Sequence, residues 1–162
     1  MALFGALYCW FPKMFGRMLD ERLGKVHFLL TFIFFNVTFF PMHNLGLGGM
    51  MRRIADPPIY EHLKQLQPLN QICTVGAIGL GFTTFLFIWN VIISLRRARK
   101  APANPWHSNT LEWTVPSPPG HGNFPVTPTV YHGPYEYSVP GLSKDYLPQT
   151  EKAPQHVKLE AH

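Results

Sequence analysis

Two long runs, Val26–Met51 and Ile72–Leu95, contain no Asp, Glu, Lys or Arg. Each exceeds the about 20 apolar residues that a helix needs to cross a bilayer core. That bunching limits the chain more than any motif does. A water-soluble domain of 162 residues spreads its apolar positions at a helical or strand period along its whole length. Here only 14% of residues are charged, against roughly 25% in an ordinary soluble domain. The reading is an all-α membrane protein with a half-span, two full transmembrane helices and a long Pro-rich extended tail.

The formal charge of +5 does not point to nucleic acid, because no basic face with interleaved aromatics is present. Its densest run, Arg96, Arg97, Arg99 and Lys100, follows the second apolar segment directly, where basic residues set topology. Cys9 and Cys73 lie in apolar stretches without CxxC spacing and read as small buried hydrophobes.

In chain order, residues 1–12 form a partial transmembrane helix, apolar but little more than half the required length, closed by Pro12. No basic region precedes it and no small-residue cleavage pattern follows, so it is not read as a signal peptide. Because an open helix end in hydrocarbon strands amides, Met1 is expected near the bilayer middle, abutting another polypeptide. Residues 13–25 mix Lys13, Arg17, Arg22 and Lys25 with Asp20 and Glu21, and their basic excess makes them a cytoplasmic loop.

Residues 26–45 are the first full span. Thr31 and Thr38 share a helical face with His27, and a polar stripe in lipid normally faces a neighbouring helix. Pro41 is expected to end or kink this helix, and Gly46, Gly48 and Gly49 to turn the chain. Residues 46–70 form an outer-face loop with the turn signal Asp56-Pro57-Pro58, and residues 71–95 the second full span. Gly76, Gly79 and Gly81 near its start are small residues of the kind that admit a close helix.

Residues 96–162 are a cytoplasmic Pro-rich tail holding eleven of the sixteen prolines, too many for regular helix or a central strand. Trp106, Trp113, Phe124, Tyr131, Tyr135 and Tyr137 argue against a plain solvated linker. The expectation is an extended ribbon across 101–137 with Trp113 and Tyr135 buried against partners, and fewer anchors after about Gln149.

Arg52 and Arg53 stand on the outer side and so against the positive-inside rule. From the residues alone, the pair either snorkels to lipid phosphates or holds a carboxylate, which a permanently charged guanidinium forks in a bidentate bond. His27 and His43 lack a second histidine at ligand spacing and read as packing residues. His121, His132, His156 and His162 are scattered and form no metal box.

Several runs together carry a family resemblance. Trp10-Phe11-Pro12 precedes Gly16-Arg17-Met18-Leu19, followed by Lys25-Val26-His27-Phe28, Asn36-Val37-Thr38-Phe39-Phe40-Pro41, His43, and Gly46-Leu47-Gly48-Gly49-Met50 before Arg52-Arg53. Later come Asn104–Asn109, Thr110-Leu111-Glu112-Trp113, Pro116-Ser117-Pro118-Pro119 and Gly133-Pro134-Tyr135-Glu136-Tyr137. In this order they resemble the C-terminal end of subunit I of the haem–copper terminal oxidases of the cytochrome c oxidase type, from late in the tenth membrane helix through the twelfth and into a tail like that of the bacterial members.

The resemblance implies that Arg52 and Arg53 bind haem propionates at the outer face. It assigns no catalytic and no metal-ligating residue to this chain, since the family's haem and copper ligands and its proton-channel residues lie upstream of Met1. The implied partners are the N-terminal part of oxidase subunit I carrying the metals, other oxidase subunits and the lipid bilayer. The implied role is a C-terminal fragment that completes an oxygen-reducing, proton-translocating subunit. A non-catalytic accessory or adaptor subunit with a partner-binding tail is the alternative. A multi-pass location in a bacterial plasma membrane is favoured, with the mitochondrial inner membrane as the other setting. One departure is that Met51 stands where the family places proline before the arginine pair.

Overall fold

Helices α2 (Glu21–Leu47, 27 residues) and α3 (Gln67–Arg97, 31 residues) are about 40 and 46 Å long at the helical rise of 1.5 Å per residue. Either exceeds a hydrocarbon core of roughly 30 Å. In the computed structural model, which describes residues 1–153, they are preceded by α1 (Ala2–Phe15) and joined by two short 3-10 turns, Pro57–Ile59 and Glu61–Leu66. A third such turn covers Leu111–Trp113. The described residues contain no β-strand, and the fold is all-α with an irregular tail. The chain forms two compact units, Asp20–Ile93 and Met1–Leu19 with the described residues from Ser94 on.

In the first unit, α2 and α3 run antiparallel along one seam. From one end to the other, Asp20 meets Asn90, the His27 ring lies 5.5 Å from that of Phe87, Phe34 covers Gly79, and Thr38 covers Gly76. His27, Thr31 and Thr38 are buried as their spacing predicts, and Thr83 and Asn90 answer them from α3. Outside, Phe28, Phe32, Phe40, Ile78, Phe82 and Phe85 are each more than half exposed. Polar inside and apolar outside reverses the pattern of a water-facing helix pair and suits a lipid surround. The Asp20 side chain caps α2 by accepting from the Leu23 amide at 2.9 Å. Asn90 exchanges two hydrogen bonds with the Asp20 backbone, both 3.1 Å, and so pins the start of α2 to α3.

Neither proline ends its helix. Pro41 lies inside α2, which continues to Leu47, and Pro12 lies inside α1, which continues to Phe15. A proline forfeits one helical hydrogen bond, and each helix continues past it on the bonds it keeps. α2 ends where glycine permits it. Gly48 donates to the Asn44 carbonyl at 2.9 Å, Met50 to that of Leu45 at 3.0 Å, and Gly49 between them takes φ 85°, the left-handed conformation usual just past a helix end.

The second unit gathers the tail around the C-terminal turn of α1. Lys13 is 7% exposed. Its Nζ donates to the carbonyls of Ala103 at 3.0 Å, Val115 at 2.5 Å and Pro116 at 3.4 Å and lies 5.2 Å from the Trp113 ring centre. Burial pushes this ammonium below the ordinary lysine range, while Glu112 acts in the opposite sense. Trp10 stacks on Trp113 at 5.6 Å, and Trp106 Nε1 donates to the Cys9 carbonyl at 3.1 Å.

The ribbon is irregular, as its prolines require, but it also loops back on itself about Asn109, which is fully buried. Asn109 Nδ2 donates to the Glu136 carbonyl at 2.8 Å, its Oδ1 accepts from the Leu147 amide at 2.8 Å, and its carbonyl accepts from the Gln149 amide at 2.9 Å. Trp113, Val115, Val139 and Leu147 are each buried. Trp113 is therefore buried within this chain, whereas Tyr135 is 86% exposed. The part of the tail expected to carry few anchors falls mostly on residues 154–162, outside the described residues.

Candidate functional site

The bend after α2 encloses a cavity of about 370 Å³. Met42, Leu45 and Gly46 come from the last turns of α2, Met50, Met51, Arg52 and Arg53 from the turn itself, and Asn70 from the first turn of α3. Its walls are mainly thioether and aliphatic, and its polar groups are two guanidiniums and one carboxamide. Met51 occupies the position just before the arginines without closing the cavity.

Both arginines are exposed, and neither has an ion-pair or hydrogen-bond partner among the described residues. The nearby Lys64, by contrast, is paired with Glu61 at 2.8 Å. Arg53 adopts φ 62°, a left-handed backbone that costs a residue with a Cβ roughly 1–2 kcal/mol. Such strain persists where surrounding structure enforces it and concentrates at binding sites.

Asn70 is the residue that sequence reasoning missed. Its Nδ2 is enclosed and lacks a hydrogen-bond partner among the described residues, while its carbonyl accepts from Thr74 Oγ1 at 3.0 Å. The only signal for it in the sequence is a polar side chain two positions before the uncharged run that starts at Ile72. Two unpaired cations lining one cavity fit an anionic acceptor. A carboxylate on an otherwise apolar molecule suits the two guanidiniums and the thioether walls. The haem propionates that the sequence reading assigned to Arg52 and Arg53 are of this chemical type.

The histidines take no part in this corner. His27 is buried on the α2–α3 seam, and His43 Nδ1 lies 3.2 Å from the Phe39 carbonyl. The ring nitrogens of His132 face the carbonyls of Gly133 and Pro148, each at 3.0 Å. His121 is exposed, and His156 and His162 fall outside the described residues. Among the described residues, no three His, Cys, Asp or Glu side chains gather to hold a metal.

Residues 1–79 match the family model of cytochrome c and quinol oxidase polypeptide I. Over that stretch the chain belongs to the oxidase polypeptide I family. The matched stretch contains α1, α2, the arginine corner and Asn70. Similarity to individual oxidase sequences reaches further, into the tail. Cytochrome c oxidase subunit 1 of Synechocystis sp. is 50% identical over 138 residues, covering 85% of this chain and 24% of the relative. The same subunit of Thermostichus vulcanus is 50% identical over 137 residues, with the same shares covered. The alternative cytochrome c oxidase subunit 1 of Bradyrhizobium diazoefficiens is 42% identical over 163 residues, covering 95% of this chain and 27% of the relative. The chain thus spans about a quarter of the length of the oxidase subunits it matches. The family works with haem and copper, and the two guanidiniums of the corner fit the propionate edge of a haem.

Proposed function

We propose that this chain supplies the C-terminal helices and tail of a terminal-oxidase subunit I and that Arg52 and Arg53 hold haem propionates at its outer face. The observation that carries this reading is the corner cavity, where two unpaired guanidiniums lie among apolar walls. The rest of subunit I brings the haem and copper ligands, and the oxidase it completes reduces oxygen to water and moves protons across a bacterial plasma membrane. Other oxidase subunits and lipid cover the exposed apolar faces of α2 and α3. The tail lies on the cytoplasmic side, where Arg96–Lys100 keep the end of α3.

When bound, haem supplies the electron-accepting iron. The residues of this chain act on its periphery. Arg52 and Arg53 are permanent cations, so they hold the propionates ionised and orient them by forked hydrogen bonds. Their positive charge also disfavours the more positive oxidised iron.

The test is the midpoint potential of each haem in Arg52→Ala and Arg53→Ala variants of the assembled oxidase. Losing a cation beside haem favours the oxidised form, so the potential falls, and lysine restores the charge but not the fork. Unchanged potentials at normal haem content in both variants would return the pair to a lipid-anchoring role. An assembled complex that carries no haem would make this chain an accessory membrane subunit.

A further inference from the structure

We infer that Arg96, Arg97, Arg99 and Lys100 form a binding surface for an anionic phospholipid of the leaflet in which α3 ends, beyond their part in setting topology. The inference rests on the membrane reading of the chain and not on the haem reading of Arg52 and Arg53. All four cations are exposed, and none makes an ion pair or a side-chain hydrogen bond among the described residues. Arg17 differs from them. Its guanidinium donates to the Ala98 carbonyl at 2.6 Å and so satisfies the chain just past the end of α3, a task that leaves the other four without an internal use.

The cationic stretch is held in place and does not trail from the helix. Arg17 and Lys100 form an antiparallel bridge, the Met18 amide donates to the Arg99 carbonyl at 3.3 Å, and the Ala101 amide donates to that of Gly16 at 2.9 Å. This pairing ties the cations to the last turn of α1, where Met14 and Phe15 are 55% and 46% exposed, and Leu95 just before the run is 41% exposed. Exposed apolar side chains tied to unpaired cations suit an amphiphile with an anionic head. Acyl chains cover the apolar side chains, and the phosphate accepts forked hydrogen bonds from the guanidiniums.

Charge selects the class of lipid. Each cation near a membrane surface raises the affinity for anionic headgroups roughly 5-fold, whereas a zwitterionic headgroup brings an ammonium of its own that cancels the gain. An acidic protein segment would answer the charge but not the exposed apolar side chains where a membrane helix ends.

The assembled oxidase, delipidated in a neutral detergent, is titrated with phosphatidylglycerol or phosphatidylcholine, and retained lipid is counted by native mass spectrometry. Wild type is compared with Arg96→Gln/Arg97→Gln, with Arg99→Gln/Lys100→Gln and with the charge-keeping Arg96→Lys/Arg97→Lys. Phosphatidylglycerol affinity should fall about 25-fold in each Gln pair, stay near wild type in the Lys pair, and weaken in wild type as salt is raised. Met14→Ser/Phe15→Ser should also retain less of it.

Equal retention of phosphatidylglycerol by wild type and both Gln pairs overturns the inference, as does retention of phosphatidylcholine as tight as that of phosphatidylglycerol. Inorganic phosphate that displaces the lipid at matched concentration shows a free-anion site and overturns it too. Loss of a protein subunit from the Gln pairs at unchanged lipid content assigns the cations to an acidic partner, with the same consequence. Should one Gln pair fail to assemble, the other pair and the salt dependence of the wild type carry the decision. Haem potentials of Arg52→Ala and Arg53→Ala test the arginine corner separately, so either reading can fail alone.

Discussion

Adding one methyl group at Gly76 tests the helix seam on which the arginine corner depends. A Cβ at this position meets Thr38 Oγ1 at 2.5 Å, its backbone nitrogen at 2.8 Å and its Cα at 3.1 Å. Two of these atoms belong to the main chain of α2. The third cannot swing away cheaply, because Thr38 Oγ1 donates to the Phe34 carbonyl at 2.7 Å. Restoring ordinary contact at the nitrogen requires α2 and α3 to part by about 0.6 Å locally, and a gap of that size forfeits a quarter to a half of the dispersion attraction across it. The overpacking cost is about 1–3 kcal/mol, or roughly 5- to 150-fold in the folded population.

Gly81 is the internal control, since a Cβ there meets nothing within 4 Å. Gly81→Ala should be neutral or stabilise by up to about 1 kcal/mol through helix propensity. Gly79→Ala falls between the two, because it meets the Phe34 ring, a side chain that can give where a backbone cannot. The assay is equilibrium unfolding of the assembled protein in mild detergent, with spin labels on exposed positions of α2 and α3 reporting their separation. Gly76→Ala with wild-type stability and unchanged separation, or Gly81→Ala as damaging as Gly76→Ala, would refute the close approach.

Other expectations follow from single residues. Lys13→Met removes an ammonium that three carbonyls accept from. It should weaken docking of the tail on α1 by about 2 kcal/mol, seen as faster proteolysis between residues 101 and 137, and wild-type resistance would show that the stacked Trp10 and Trp113 suffice. Arg53→Gly relieves the backbone at φ 62° while deleting the cation. It should leave stability equal to or above that of Arg53→Ala by about 1 kcal/mol, with haem potential lowered equally in both, and a less stable glycine variant would show that the turn carries no strain.

The sequence alone determined what depends on length and period. Two uncharged runs long enough to cross a bilayer require two helices whatever surrounds them, because no other open structure satisfies its amides in hydrocarbon. The period of His27, Thr31 and Thr38 identified the face of α2 that meets another helix, and the adjacency of Arg52 and Arg53 marked a cationic corner. Tertiary structure decided what depends on residues far apart in the chain. Asn90 holds the start of α2 from 70 positions away, and Lys13 finds its carbonyl acceptors 90 to 103 positions away. Neither partner is legible from local pattern. The prolines misled for a related reason. A proline removes one helical hydrogen bond and so marks a break in the sequence, but the helices run on past Pro12 and Pro41 through the bonds they keep. Asn70 shows the same limit at the candidate site. Its identity was visible in the sequence, but only the fold brings the residue to the cavity that Arg52 and Arg53 line.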